Sequence, residues 1–132
     1  MTVHQVLQPA GWPRPRGYAN GIAATGRMVF TGGVVGWDAA ERFPDGLAAQ
    51  FEQLLGNTVA ILAEGGAGPE HIVRMTWYVT SRDAYVAALP EIGAAYRRLI
   101  GRNFPAMAVV QVAALVEPAA LIEIETTAVV PD

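Results

Sequence analysis

The stretch from Ile72 to Thr80 restricts the architecture of this chain more than any other. Val73, Met75, Trp77 and Val79 alternate with Arg74, Thr76, Tyr78 and Thr80. A period of two places the first set on one side of a β-strand and the second on the other. One side is core. The other is polar and aromatic, which suits neither a second core nor a plain solvated surface. The fold must therefore cover one face of a sheet with helices and leave the opposite face for something else.

The helices are legible from a different period. Leu47, Phe51, Leu54, Leu55, Thr58, Val59 and Leu62 recur at spacings of three and four, predicting a helix over about Leu47 to Ala63. Asp45 is placed to cap its start, and Gly65-Gly66 to close its end. Gly56 weakens the middle by about 1 kcal/mol relative to alanine and is read as a site of close helix packing. A second helix is expected over Arg82 to Leu99, packing through Tyr85, Leu89, Ile92, Tyr96 and Leu99, with Ser81 at its start. Pro90 should kink it or divide off its first turns.

The remaining strands are expected at Val3 to Leu7, at Ile22 to Ala24 and Met28 to Thr31 around a tight turn at Thr25-Gly26-Arg27, and at about Ala106 to Leu115 and Leu121 to Val130. The last two are rich in valine and isoleucine and read as central. Two helices cannot cover both faces of such a sheet, so the expectation is one α+β domain over residues 1–132, a mixed sheet with two helices on one face. Composition bears on the bare face. Hydrophobic residues make up 52% and charged residues 16%, against about 25% charged in an average chain. Apolar surface buried between identical subunits accounts for that deficit most simply.

Several function classes are excluded or disfavoured. Without cysteine there is no thiolate nucleophile, disulfide or cysteine-ligated metal. His4 and His71 lack metal-ligand spacing, so no metal is expected. Neither a nucleophile elbow nor a dinucleotide fingerprint occurs, and no cofactor is expected. A net charge of −3 gives no basic field for nucleic acid, although Arg14 and Arg16 can meet an anion locally. No apolar run reaches spanning length, and Met1 to Gln5 lacks the basic start of a secretory signal, so a cytoplasmic location away from membranes is expected.

Five pieces, in order and spacing, carry a resemblance that covers nearly the whole chain. They are Gly17-Tyr18, Met28-Val29-Phe30-Thr31-Gly32-Gly33, Gln50 followed by Asn57, Asn103-Phe104-Pro105-Ala106 and Glu123-Ile124-Glu125. On these the chain resembles the reactive intermediate deaminase family, also called RidA or YjgF/YER057c/UK114-like. The resemblance implies a chorismate-mutase-like fold (bacillus type), a homotrimer, and a cleft between subunits for a small-molecule substrate. It also implies cofactor-independent hydrolytic deamination of small enamines or imines. A non-catalytic trimer that binds a small metabolite is the alternative.

Carried onto this sequence, the resemblance makes Tyr18 and Glu123 the catalytic candidates and the Thr31-Gly32-Gly33 turn part of the cleft wall. Met107 stands where the family has an arginine for the substrate carboxylate. The turn also departs from the family's serine-glycine-glutamine, and Leu89 or Pro90 stands near its helical asparagine. Methionine supplies a soft apolar surface and no donor, where arginine would supply a planar fork. Met107 is thus either an apolar wall for a ligand or interface filling. Arg102 is the nearest replacement cation, or else an exposed charge at a strand entrance; Arg14 and Arg16 are further options, with Trp77 and Arg74 as weaker contact candidates. Glu123 either places a water and moves protons or is an ordinary strand carboxylate, and Glu125 shares its face. Tyr18 either donates to a ligand or anchors the proline-rich segment before it.

Overall fold

The computed structural model describes residues 1–132. Strand β5 (Ile72–Val79) runs through the middle of a five-stranded mixed sheet. It pairs antiparallel with β7 (Ile122–Val130) and parallel with β6 (Ala106–Gln111). Beyond β7 lie β3 (Arg27–Phe30) and β4 (Val34–Val35), both antiparallel to it. A separate two-stranded ribbon joins β1 (Gln5–Leu7) to β2 (Gly21–Ala23).

The helices α1 (Leu47–Glu64), α2 (Arg82–Ala87) and α3 (Leu89–Leu99) lie over one face of the sheet. Phe51, Leu54, Leu55 and Leu62 of α1 are wholly buried against Met75, Ile122 and Ile124. Burying side chains of this size contributes roughly 1.5–3 kcal/mol each. No helix is long and apolar enough to cross a membrane.

The expected alternation along β5 holds for Met75, Trp77 and Val79 but not at its start. Ile72, rather than Val73, is buried, because the pairing register with β7 shifts between Ile72 and Arg74. A bulge adds one residue and turns the following side chains over. Pro90 divides the second helix as expected: α2 stops at Ala87, α3 begins at Leu89, and Ser81 Oγ accepts a hydrogen bond from the Ala84 amide at the start of α2.

Four other expectations need correction. The turn at Thr25-Gly26-Arg27 does not close a hairpin: β2 pairs with β1, and β3 with the far end of β7. Strand β7 offers β3 a long, well-buried partner, where β2 would offer only three residues. Strand β6 is an edge of the protomer's sheet and stops at Gln111, well short of Leu115. Gly46, at φ 91°, occupies the cap position of α1 with no side-chain cap, and Asp45 sits one residue outside. Gly56 is exposed, and a Cβ there would meet nothing within 4 Å, so it permits no close packing.

Tyr96 links the core to the segment before β6. Its hydroxyl donates to the Asn103 carbonyl, and burial pushes its phenol well above the ordinary tyrosine range. The folded-state phenol therefore ionises later than an unfolded one. Its contribution to stability is complete below about pH 10 and is lost as pH rises towards the folded-state value. Urea midpoints should accordingly fall between about pH 9 and pH 11, and Tyr96→Phe should make that fall smaller. An equal fall in the variant would assign the pH dependence to other groups.

Candidate functional site

A cavity of about 580 Å³ lies between β5, β6 and the helices. Residues paired across parallel strands point to the same side of a sheet, so the pairs Met75 with Met107 and Trp77 with Val109 put Met107 and Val109 on the helix-covered face. Thirteen residues line the cavity, nine of them hydrophobic, and Tyr18, Trp77 and Met107 are all among them. Sequence reasoning named these three. It assigned Tyr85 and Tyr96 to helix packing, named Phe104 only within a motif, and left out Arg97; all four contribute to the wall. The helical spacing that made the tyrosines look like core is the only signal they carry, and it does not separate core from cavity wall.

Trp77 is only 4% exposed and packs against the rings of Phe51, Tyr96 and Tyr85 at centroid distances of 4.9, 6.2 and 6.3 Å. Its Nε1 is buried with no acceptor. An indole donor at such a position normally finds a partner. Arg102 does not line this cavity. It lines a second hollow of about 250 Å³ with Arg14, and Tyr18 and Phe104 belong to both hollows.

Glu123, Thr31, Gly32 and Gly33 form a different group. Ile122 and Ile124 of β7 are fully buried beneath the helices, so Glu123 between them projects from the opposite face. Gly33 packs directly on it: a Cβ built at Gly33 would lie 2.9 Å from the Glu123 carboxylate carbon. Thr31 is committed to its own turn. Its Oγ1 accepts from the Thr126 amide at 3.0 Å and donates to the Gly32 carbonyl at 2.8 Å.

The two carboxylates on this face are distinguishable. Glu125 accepts a 2.5 Å hydrogen bond from the Tyr78 hydroxyl, and that bond, foremost, raises the Tyr78 phenol above its ordinary value. Glu123 has no hydrogen-bond or ion-pair partner in the protomer. The open face also carries Phe30, 61% exposed, opposite Thr127.

Both histidines are occupied in holding backbone together. His4 Nε2 lies 2.8 Å from the Val129 carbonyl, and His71 Nδ1 accepts from the Gly68 amide. No three His, Asp or Glu side chains converge on one point as metal ligands would.

The sequence-derived site residues thus fall on opposite faces of one sheet. Tyr18, Trp77 and Met107 belong to the helix side, Arg102 to the hollow that adjoins their cavity at Tyr18, and the Thr31–Gly33 turn and Glu123 to the open side. Within a single protomer these halves do not meet.

Comparison with known proteins places this geometry in context. The family pattern described as Endoribonuclease L-PSP matches residues 13–130. A RutC family protein from Synechocystis sp., slr0709, is 32% identical over 132 residues, covering 96% of this chain and 97% of the relative. The structure of YyfB from Yersinia pestis, a protein of unknown function in the conserved Rid family, superposes with a TM-score of 0.81 at 32% identity, covering 96% of this chain and 98% of that one. E. coli TdcF, solved with bound serine, gives a TM-score of 0.68 at 26% identity, covering 96% and 98%. With a family pattern spanning nearly all of its length and relatives matching end to end, the chain belongs to the RidA/YjgF/YER057c/UK114 family.

Proposed function

We propose that three copies assemble in a chorismate-mutase-like ring, and that each cleft between neighbours hydrolyses a small, reactive enamine or imine. In this reading the wall made by Tyr18, Trp77 and Met107 of one protomer faces the Thr31–Gly33 turn and Glu123 of the next. One observation carries it: the two halves of the site lie on opposite faces of the sheet, so only a second copy completes them. The bare face, with Phe30 exposed, supports an assembly of this kind. Serine bound to TdcF supports a ligand of amino-acid size.

The reaction needs water, one base and no redox partner. An enamine first tautomerises to the imine. As water attacks the imine carbon, the Glu123 carboxylate takes a proton from it and the imine nitrogen gains one, giving a carbinolamine. As the carbon–nitrogen bond breaks, the Glu123 carboxyl proton passes to the departing nitrogen and the carbinolamine hydroxyl returns a proton to solvent, replacing the one the imine nitrogen took from solvent, so that ammonia and a carbonyl compound leave with Glu123 again ionised. Glu123 suits this role because no partner in the protomer competes for its oxygens. Backbone amides at Gly32 and Gly33 and the Tyr18 hydroxyl supply donors for the ligand's polar atoms.

An RNA substrate has less support, because twelve acidic residues outnumber nine arginines and provide no basic track. The test is ammonia release from freshly generated aliphatic and aromatic imines, with light scattering on the same sample. Release proportional to protein concentration from a three-chain species is expected. No release above buffer from any of them would overturn the hydrolase reading and favour a trimer that only binds a metabolite.

A further inference from the structure

The two hollows that meet at Tyr18 and Phe104 differ in character. The inner one is walled by rings: Trp77, Tyr85, Tyr96 and Phe104, with Tyr96 and Phe104 stacked at a centroid distance of 5.9 Å. Met107 removes the donor that would favour a charge there, and an apolar wall disfavours an unpaired carboxylate. The outer one holds Arg14 and Arg102.

Charge is distributed unevenly for a chain of net −3. Four of its nine arginines border these hollows, Arg16 and Arg97 at the inner and Arg14 and Arg102 at the outer, and no Asp or Glu lines either. Arg42, Arg82 and Arg98 each pair with an acidic side chain, but none of these four does. Unpaired guanidiniums beside an apolar hollow form a local positive field suited to a carboxylate, which their planar fork binds in two-point fashion.

We propose that this two-part hollow binds an amphipathic carboxylate, with an aromatic or similarly bulky side chain in the inner cavity and the carboxylate against Arg14 and Arg102. The inner volume, about 580 Å³, exceeds the needs of a two- or three-carbon metabolite. Tyr18, which borders both parts, then lies beside the atoms that join ring to carboxylate. The inference rests on the hydrolase reading only for the reaction; it refines that reading's substrate to an imine of a bulky or aromatic amino acid, bound with its charge outermost.

The test is calorimetric binding to the assembled protein of three stable probes: 3-phenylpropanoate, 3-phenylpropanamide and propanoate. The phenyl acid is expected to bind at least about tenfold more tightly than either the amide or the short acid, with affinity falling as salt rises. Arg14→Gln with Arg102→Gln should lower its affinity by about tenfold or more and leave the amide unchanged; both side chains are exposed, so the fold should survive. Equal binding of acid and amide, propanoate matching the phenyl acid, or full affinity in the double variant would each overturn the proposal. The probe comparison on unaltered protein decides even if the variant does not fold. Probe binding as expected without ammonia release from any imine would sink the hydrolase reading and leave this one standing. Turnover without discrimination among the probes would do the reverse.

Discussion

Gly36→Ala should destabilise the fold by about 3 kcal/mol or more, because the added methyl would meet backbone rather than a side chain that can move. A Cβ at Gly36 would lie 2.8 Å from the Gln50 carbonyl carbon and Cα, and closer still to its oxygen. Neither side can yield cheaply. Gln50 is buried in the first turn of α1, its amide donating to the Ala119 carbonyl at 2.9 Å and its oxygen accepting from the Leu121 amide at 2.8 Å. On the other side, Asn57 Nδ2 donates to the Val35 and Trp37 carbonyls and so holds the chain around Gly36 against the same helix. Forcing them apart loses those bonds as well as packing. Gly56→Ala is the natural control, since it lies on the exposed face of α1 with open space around it. It should stabilise by about 1 kcal/mol. Urea midpoints at one fixed protein concentration make the comparison, because assembly would otherwise shift them. A Gly36→Ala midpoint within error of the parent would show that the contact between β4 and α1 opens freely.

Glu123→Gln should lower kcat by about a hundredfold or more while leaving the urea midpoint nearly unchanged. The amide has the same shape and cannot accept the proton that water must lose. Little structural cost is expected, since Glu123 anchors nothing within the protomer. Gly33→Ala gives a graded companion. Its methyl would press on the Glu123 carboxylate at 2.9 to 3.2 Å, and the carboxylate end of a flexible side chain can swing away. Displacement should lower kcat less than loss of the base does, again with little change in stability. Full turnover in Glu123→Gln would remove the proton-transfer role and leave the residue a positioning group at most.

How much of this was legible beforehand varied with the range of the interaction. Pro90 split its helix and Ser81 capped the first piece as their local chemistry requires. Along β5 the alternation identified Met75, Trp77 and Val79 but not Ile72, because the bulge is set by pairing with β7. The missing hairpin at Gly26 and the edge position of β6 have the same origin: a strand's composition does not name its partner. At the site, the motifs brought Tyr18, Met107, Gly33 and Glu123 to notice, and the strand pattern Trp77. They did not reveal that Tyr18, Trp77 and Met107 share one cavity while Gly33 and Glu123 touch on the opposite face.

Element type and the apolar stripe of each helix follow from periods of two and about 3.6 residues, which operate between near neighbours and are written directly into the chain. So is the substitution of a thioether for a guanidinium at Met107, a matter of identity alone. Which strand lies beside which, and which aromatic rings enclose a hollow, depend on contacts between residues distant in sequence. The parallel register that sets Met107 beside Met75 turns its side chain towards the helices and into the cavity. A shift of one residue would have turned it to the open face, the face that carries Glu123, and nothing local in either strand distinguishes those two outcomes.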